Sequence, residues 1–95
     1  MKELFGVEGR VILITGASRG IGFAMAEALA DYGAHVVLNS RDETALREKV
    51  RVLTERGLKA SYQVFDVTDP EAGKNAIQTI VGEFGSLYGL VNNAG

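Results

Sequence analysis

Short, continuously apolar runs alternate along this chain with longer stretches that are apolar on one side only, and Gly or Asp stands at most changeovers. Residues 10–16, "RVILITG", are β-branched and unbroken, the pattern of a strand covered on both faces. From Gly20, apolar residues recur at Ile21, Ala24, Met25, Ala28, Leu29 and Tyr32, which predicts a helix burying that stripe, with Gly33 as its left-handed cap. "HVVLN" is a second buried strand. Residues 42–56 predict a charged helix with Leu46, Val50 and Leu53 inward, a Glu43–Arg47 pair on its outer side, and a stop at Gly57. "ASYQVFDV" is a third strand. The stretch "TDPEAGKNAIQTIVGEFG" predicts a third helix, with Thr68 and Glu71 at capping-box spacing and Pro70 in its first turn. Its inward stripe is Ala76, Ile77, Ile80, Val81 and Phe84. Gly73 and Gly82 cost about 1 kcal/mol each relative to Ala, so this helix depends on packing. "LYGLVNN" closes the pattern as a fourth strand.

The order βαβαβαβ, with crossovers too long for hairpins, implies parallel strands joined by right-handed connections. The expected fold class is α/β: a Rossmann-type parallel sheet with helices on both faces, the first half of a doubly wound fold, stopping after strand four. The 95 residues form one domain at most, 1–95, with a thin core, since a chain this size buries roughly 60–70% of its unfolded surface. Hydrophobic residues at 46% and charged residues at 23% are ordinary globular composition and argue against disorder. A net charge of -2 gives no reason to expect nucleic acid or an anionic membrane as partner. Without cysteine there is no disulfide or thiolate metal site, and a lone histidine, His35, cannot build a metal site. The opening "MKELFGVEGR" does not resemble a signal peptide, and no apolar run is long enough for a bilayer, so a cytoplasmic protein is expected.

The most informative stretch is "TGASRGIG", from Thr15 to Gly22. Here the first strand must turn sharply into a helix while its backbone stays open to a ligand, and glycines permit both. Gly16 makes the turn, Gly20 opens the helix, and Gly22 lets that helix lie close to the strands. The helix N-terminus offers unpaired N–H groups and about half an elementary positive charge, suited to a pyrophosphate. Ser18 and Arg19 add a hydroxyl and a guanidinium beside it. Glycine-rich turns also occur for tight packing alone; this one follows a strand and opens a helix in the first βα unit, as a dinucleotide fingerprint requires.

About 20 residues further on, the end of strand two faces the adenosine ribose in dinucleotide-binding folds, and an acid there selects NAD. This chain has "NSRD": Asn39, Ser40 and Arg41, then an Asp42 suited to capping the next helix. An acid-free strand end followed by arginine suits a 2′-phosphate, with Arg19 near enough to assist, which favours NADP(H) over NAD(H). The competing reading makes Arg41 a solvated loop residue neutralised by Asp42.

Together, "TGASRGIG", "FDV" after strand three and "NNAG" after strand four resemble the short-chain dehydrogenase/reductase family over the whole chain. "LFGVEGRVILITGASRGIG" and "VVLNSRD" are similar to the branch holding gluconate 5-dehydrogenases and 3-oxoacyl-carrier-protein reductases. The resemblance implies cofactor contacts from Gly16, Ser18, Arg19, Gly20, Ile21 and Gly22 at the turn, and from Ser40 and Arg41 at the strand end. It implies that Asp66 accepts from the adenine amino group with the Val67 backbone beside it, and that Asn92, Ala94 and Gly95 lie along the adenosine ribose. For Asp66 a place in the cap of the third helix is the alternative, and for the Asn pair a simple turn. The chain departs from the pattern at Tyr88, where family members commonly carry Asp.

The family's chemistry is hydride transfer between a nicotinamide and a small carbonyl or alcohol, with a Ser, Tyr and Lys centre in which Tyr is followed by Lys in a YxxxK spacing. Tyr32, Tyr62 and Tyr88 all lack that Lys, so no catalytic residue is expected within these 95 positions. The expectation is thus the N-terminal, cofactor-binding part of an NADP(H)-dependent oxidoreductase, commonly a homo-oligomer in this family, with the 95 residues inactive alone. The alternative is a catalytically inactive nucleotide-binding or self-associating module.

Overall fold

The structure, a computed structural model, describes residues 6–93. Seven elements follow one another: β1 (Val11–Ile14), α1 (Gly20–Asp31), β2 (His35–Ser40), α2 (Glu43–Glu55), β3 (Ala60–Val64), α3 (Pro70–Phe84) and β4 (Gly89–Val91). The strands form one sheet in the order β3-β2-β1-β4, and every pairing is parallel. Strand β1 is central, with Leu13 opposite Val37 of β2 and Leu90 of β4. All four of its residues are buried, the physical reason for its unbroken apolar run.

Alternation along the strands sends side chains to two different layers. Ile12, Ile14, Val36 and Leu38 pack with Ala26 and Ala30 of α1 and with Leu46 and Leu53 of α2. On the opposite face Val11, Leu13 and Val37 meet Ile80 of α3, with Ile77 and Phe84 alongside. Helices therefore cover both faces, as expected of a Rossmann-type fold. Arg56 also ties α2 to α1 by ion pairs to Glu27 and Asp31 at 2.9 and 2.8 Å.

The helix ends show which polar residues act as punctuation. Asp42 caps α2 by accepting from the Ala45 N–H, and the Glu43–Arg47 pair forms at 3.4 Å. Gly33, Gly57 and Gly85 follow the three helices with φ of 97°, 81° and 87°, a region costly for other residues. The expected Thr68–Glu71 capping box does not form. Asp69 caps α3, accepting from the Glu71 and Ala72 N–H groups, because Thr68 turns back to donate to Asp66. Pro70 occupies the first turn, where its missing N–H costs nothing.

The inward stripe of α1 also differs from expectation. Gly22, Ala26 and Ala30 face the sheet, Leu29 and Tyr32 pack at its margin, and Ile21, Ala24 and Ala28 point outward. The helix lies so close to β1 that only small side chains fit beneath it. Val81 likewise lies on the outer side of α3, 41% exposed. Regular pairing of β3 ends at Val64, short of the expected strand, and β4 is confined to three residues.

Candidate functional site

All four strands run the same way, so their carboxyl ends and the loops that follow gather at one edge of the sheet. A cleft of about 1030 Å³ opens there. One wall is the glycine turn. Gly16 and Gly20 have φ of 61° and 60°, and the Ala17 N–H donates to the Asn39 main-chain carbonyl at 2.8 Å, fastening the turn to β2. Gly22 leaves no space: a Cβ there would lie 2.2 Å from the Gly16 carbonyl oxygen. The α1 N-terminus has no side-chain cap, whereas α2 and α3 are capped by Asp. Ser18 and Arg19 line the cleft beside it.

A second wall comes from the ends of β2 and β3. Ser40, Arg41, Asp42 and Ala45 line it from one side, and Phe65, Asp66, Val67 and Thr68 from the other. The acid facing Arg41 is Asp66, with Nη1 to Oδ2 at 3.9 Å; the Asp42 carboxylate is engaged in its cap. The Arg41 side chain is 79% exposed, so this contact is loose and the guanidinium is free to turn to a ligand. Asp66 Oδ1 accepts from the Thr68 N–H at 2.9 Å and the Thr68 hydroxyl at 2.7 Å. These two donors hold the Asp66 carboxyl below the usual carboxylate range, and Arg41 adds to the effect. Asp66 is therefore an anionic acceptor at neutral pH, on a short self-bracing loop rather than in the cap of α3.

The loop after β4 closes the third side. Thr15, buried at the end of β1, donates its hydroxyl to Asn92 Oδ1 at 3.2 Å and accepts from the Asn93 N–H at 2.9 Å. The Asn93 amide donates to the Gly16 carbonyl at 3.1 Å. Asn93, rather than Asn92, lines the cleft, and the pair binds the β4 loop to the glycine turn.

Of the residues expected at a cofactor site, Gly16, Ser18, Arg19, Ser40, Arg41, Asp66 and Val67 line this one cleft. Gly20, Ile21 and Gly22 form the first turn of α1 at its edge, with the Ile21 side chain pointing away and 73% exposed. Asn92 is held on Thr15, and Ala94 and Gly95 lie outside the described residues. Asn39, expected at the acid-free end of strand two, Asn93, expected in the Asn pair, and Thr68, expected in a capping box, also line the cleft. The tyrosines stand elsewhere. Tyr62 donates to Glu43, and Tyr88 lies under the Arg10 guanidinium at 4.3 Å, joining the starts of β1 and β4 where the expected pattern has Asp.

A cleft with an uncapped helix N-terminus, two arginines, an ionised acid and a strand end free of acid suits an anionic, nucleotide-like ligand. No helix among the described residues is long and apolar enough to cross a membrane. The family model described as short chain dehydrogenase matches residues 10–95. Gluconate 5-dehydrogenase from Gluconobacter oxydans is 46% identical over 93 residues, covering 98% of this chain and 36% of that protein. L-sorbose reductase from Gluconobacter frateurii, solved in complex with NADPH and L-sorbose, superposes with a TM-score of 0.89 at 42% identity, covering 95% of this chain and 35% of that one. A metagenomic short-chain oxidoreductase solved in complex with NADP superposes with a TM-score of 0.89 at 38% identity, covering 94% of this chain and 40% of that one. The chain thus spans about a third of the length of the relatives it matches.

Proposed function

Because the chain belongs to the short-chain dehydrogenase family, we propose that it forms the adenosine- and pyrophosphate-binding part of an oxidoreductase that works with NADP(H) in preference to NAD(H). The substrate class that goes with this reading is a small carbonyl or alcohol, to or from which the bound nicotinamide supplies or takes the hydride. No tyrosine lines the cleft among the described residues, so no proton transfer is assigned to this part of the chain. Its work is binding and orientation. The uncapped first turn of α1, with Ser18 and Arg19, receives the pyrophosphate, Asp66 and the Val67 backbone receive the adenine, and Arg41 receives a 2′-phosphate.

The observation that carries the NADP(H) preference is the end of β2. Asn39 and Ser40 place no carboxylate against a 2′-phosphate, and Arg41 stands exposed on the cleft wall with only a loose hold on Asp66. NADPH and NADP in the two solved relatives support the same reading. A charge-assisted hydrogen bond is worth about 1.5–3 kcal/mol, and exposure places Arg41 toward the lower end. Arg41→Ala in the natural full-length protein is therefore expected to weaken NADPH by roughly tenfold while leaving NADH nearly unchanged. Fluorescence titration with both dinucleotides checks this. Equal loss for the two, or none for NADPH, removes the assignment.

A further inference from the structure

Asn39 is a polar side chain among the buried residues of β2, next after Val36, Val37 and Leu38 and 1% exposed beneath the cleft. Its Nδ2 donates to the carbonyls of Gln63 at 3.1 Å and Phe65 at 3.0 Å. Its own main-chain carbonyl receives the Ala17 N–H from the glycine turn. Oδ1 is buried and makes no hydrogen bond among the described residues. The amide cannot be turned to cure this, because Oδ1 would then face two carbonyl oxygens. A buried acceptor without a partner is unfavourable, and an aliphatic residue like the neighbouring Leu38 would avoid it.

The two donated hydrogen bonds give the residue its purpose. Strand β3 is the outer strand of the sheet, and among the described residues β2 is its one strand neighbour. Its regular pairing stops at Val64 opposite Ser40, and beyond that the Phe65 N–H reaches the Ser40 carbonyl only at 3.3 Å. The Asn39 amide carries the attachment on to Phe65, the residue immediately before Asp66. The main chain of this residue thus holds the turn bearing Ser18 and Arg19, and its side chain holds the strand end bearing Asp66 and Val67 to that same point.

We propose that Asn39 is a positioning residue of the adenosine subsite, setting the distance between the glycine turn and the end of β3. This rests on the dinucleotide reading above. Asn39→Leu removes the donors to the Gln63 and Phe65 carbonyls without placing a carboxylate at the end of β2, where its charge alone would disfavour a 2′-phosphate. In the natural full-length protein, held well below each variant's unfolding midpoint, calorimetry is expected to show 2′,5′-ADP weakened by about tenfold or more. Nicotinamide mononucleotide, the other half of the cofactor, should keep its affinity within about threefold. A merely structural role would change both affinities together or neither, and either result overturns the proposal. If Asn39→Leu does not fold, Asn39→Val removes the donors with a smaller side chain and carries the same expectation; unaltered 2′,5′-ADP binding there also overturns it. Failure of the unsubstituted protein to bind NADPH, NADH or 2′,5′-ADP would instead strike the dinucleotide reading itself, and this proposal with it.

Discussion

At Gly22 the absence of a side chain is a requirement of space rather than of backbone conformation. A Cβ there would come within 2.2 Å of the Gly16 carbonyl oxygen and 2.6 Å of the Asn93 amide nitrogen. The first neighbour is main chain and cannot rotate aside. Gly22→Ala must therefore lift α1 from β1 or break the bond from Asn93 to Gly16, and overpacking of this kind typically costs about 1–3 kcal/mol. Gly20 presents the opposite case, with φ of 60° and nothing within 4 Å of an added Cβ. Gly20→Ala pays only the left-handed backbone penalty of about 1–2 kcal/mol. Denaturant unfolding should rank the variants wild type, Gly20→Ala, then Gly22→Ala, and the last should also loosen cofactor through the displaced turn. A Gly22→Ala protein as stable as the wild type would mean that α1 does not lie this close to the sheet.

Among the elements, β1 and β2 were the most legible, because burial on both faces requires an unbroken apolar run and little else produces one. The face of α1 was not. Periodicity weighs large residues such as Ile21 and Met25, whereas close approach to a sheet selects small ones, here Gly22, Ala26 and Ala30. The glycine turn and Asp66 could be placed from order alone; the meeting of Arg41 with Asp66, 25 positions apart in sequence, depends on β2 and β3 ending side by side. The same pairing creates a joint at the far end of the sheet. His35 begins β2, its Nε2 lies 3.1 Å from the Ser61 hydroxyl of β3, and its ring meets Phe84 of α3 at 4.4 Å. Burial pushes the imidazole below its usual value, against an opposing pull from Glu83 and with help from Lys59. The folded state thus prefers neutral His35, and its stabilising share is complete above about pH 6.5 and lost as pH falls through the lowered folded value. NMR titration should find His35 below 6.5, and His35→Gln should flatten the loss of stability on mild acidification. A His35 midpoint at or above 6.5 would contradict this account.

For the molecule as a whole, the four-stranded sheet has two edges, β3 and β4, and they are not alike. Strand β3 carries Tyr62, which donates to Glu43 of α2, and an exposed Val64, with the Arg41–Asp66 pair just past its end. Strand β4 has β1 on one side only, and among the described residues no strand pairs with its other side. Leu90 and Tyr88 are each 53% exposed there, and Val81 of α3 is 41% exposed. Unpaired N–H and C=O groups beside apolar side chains, with no lysine, proline or bulge to blunt them, form a template for another strand. Residues 1–95 expressed alone are therefore expected to self-associate through β4. Sedimentation should show the weight-average mass rising with concentration, and the unfolding midpoint should rise with it. Leu90→Lys should shift the piece toward monomer, because a charge on an open edge disfavours edge-to-edge pairing while costing little at an exposed position. If the piece stays monomeric at every concentration and unfolds in one concentration-independent step, the β4 edge is protected by something other than a pairing strand. If it associates but Leu90→Lys leaves the association intact, the contact lies elsewhere, and the outward Ile21, Ala24 and Ala28 of α1 become the surface to test next.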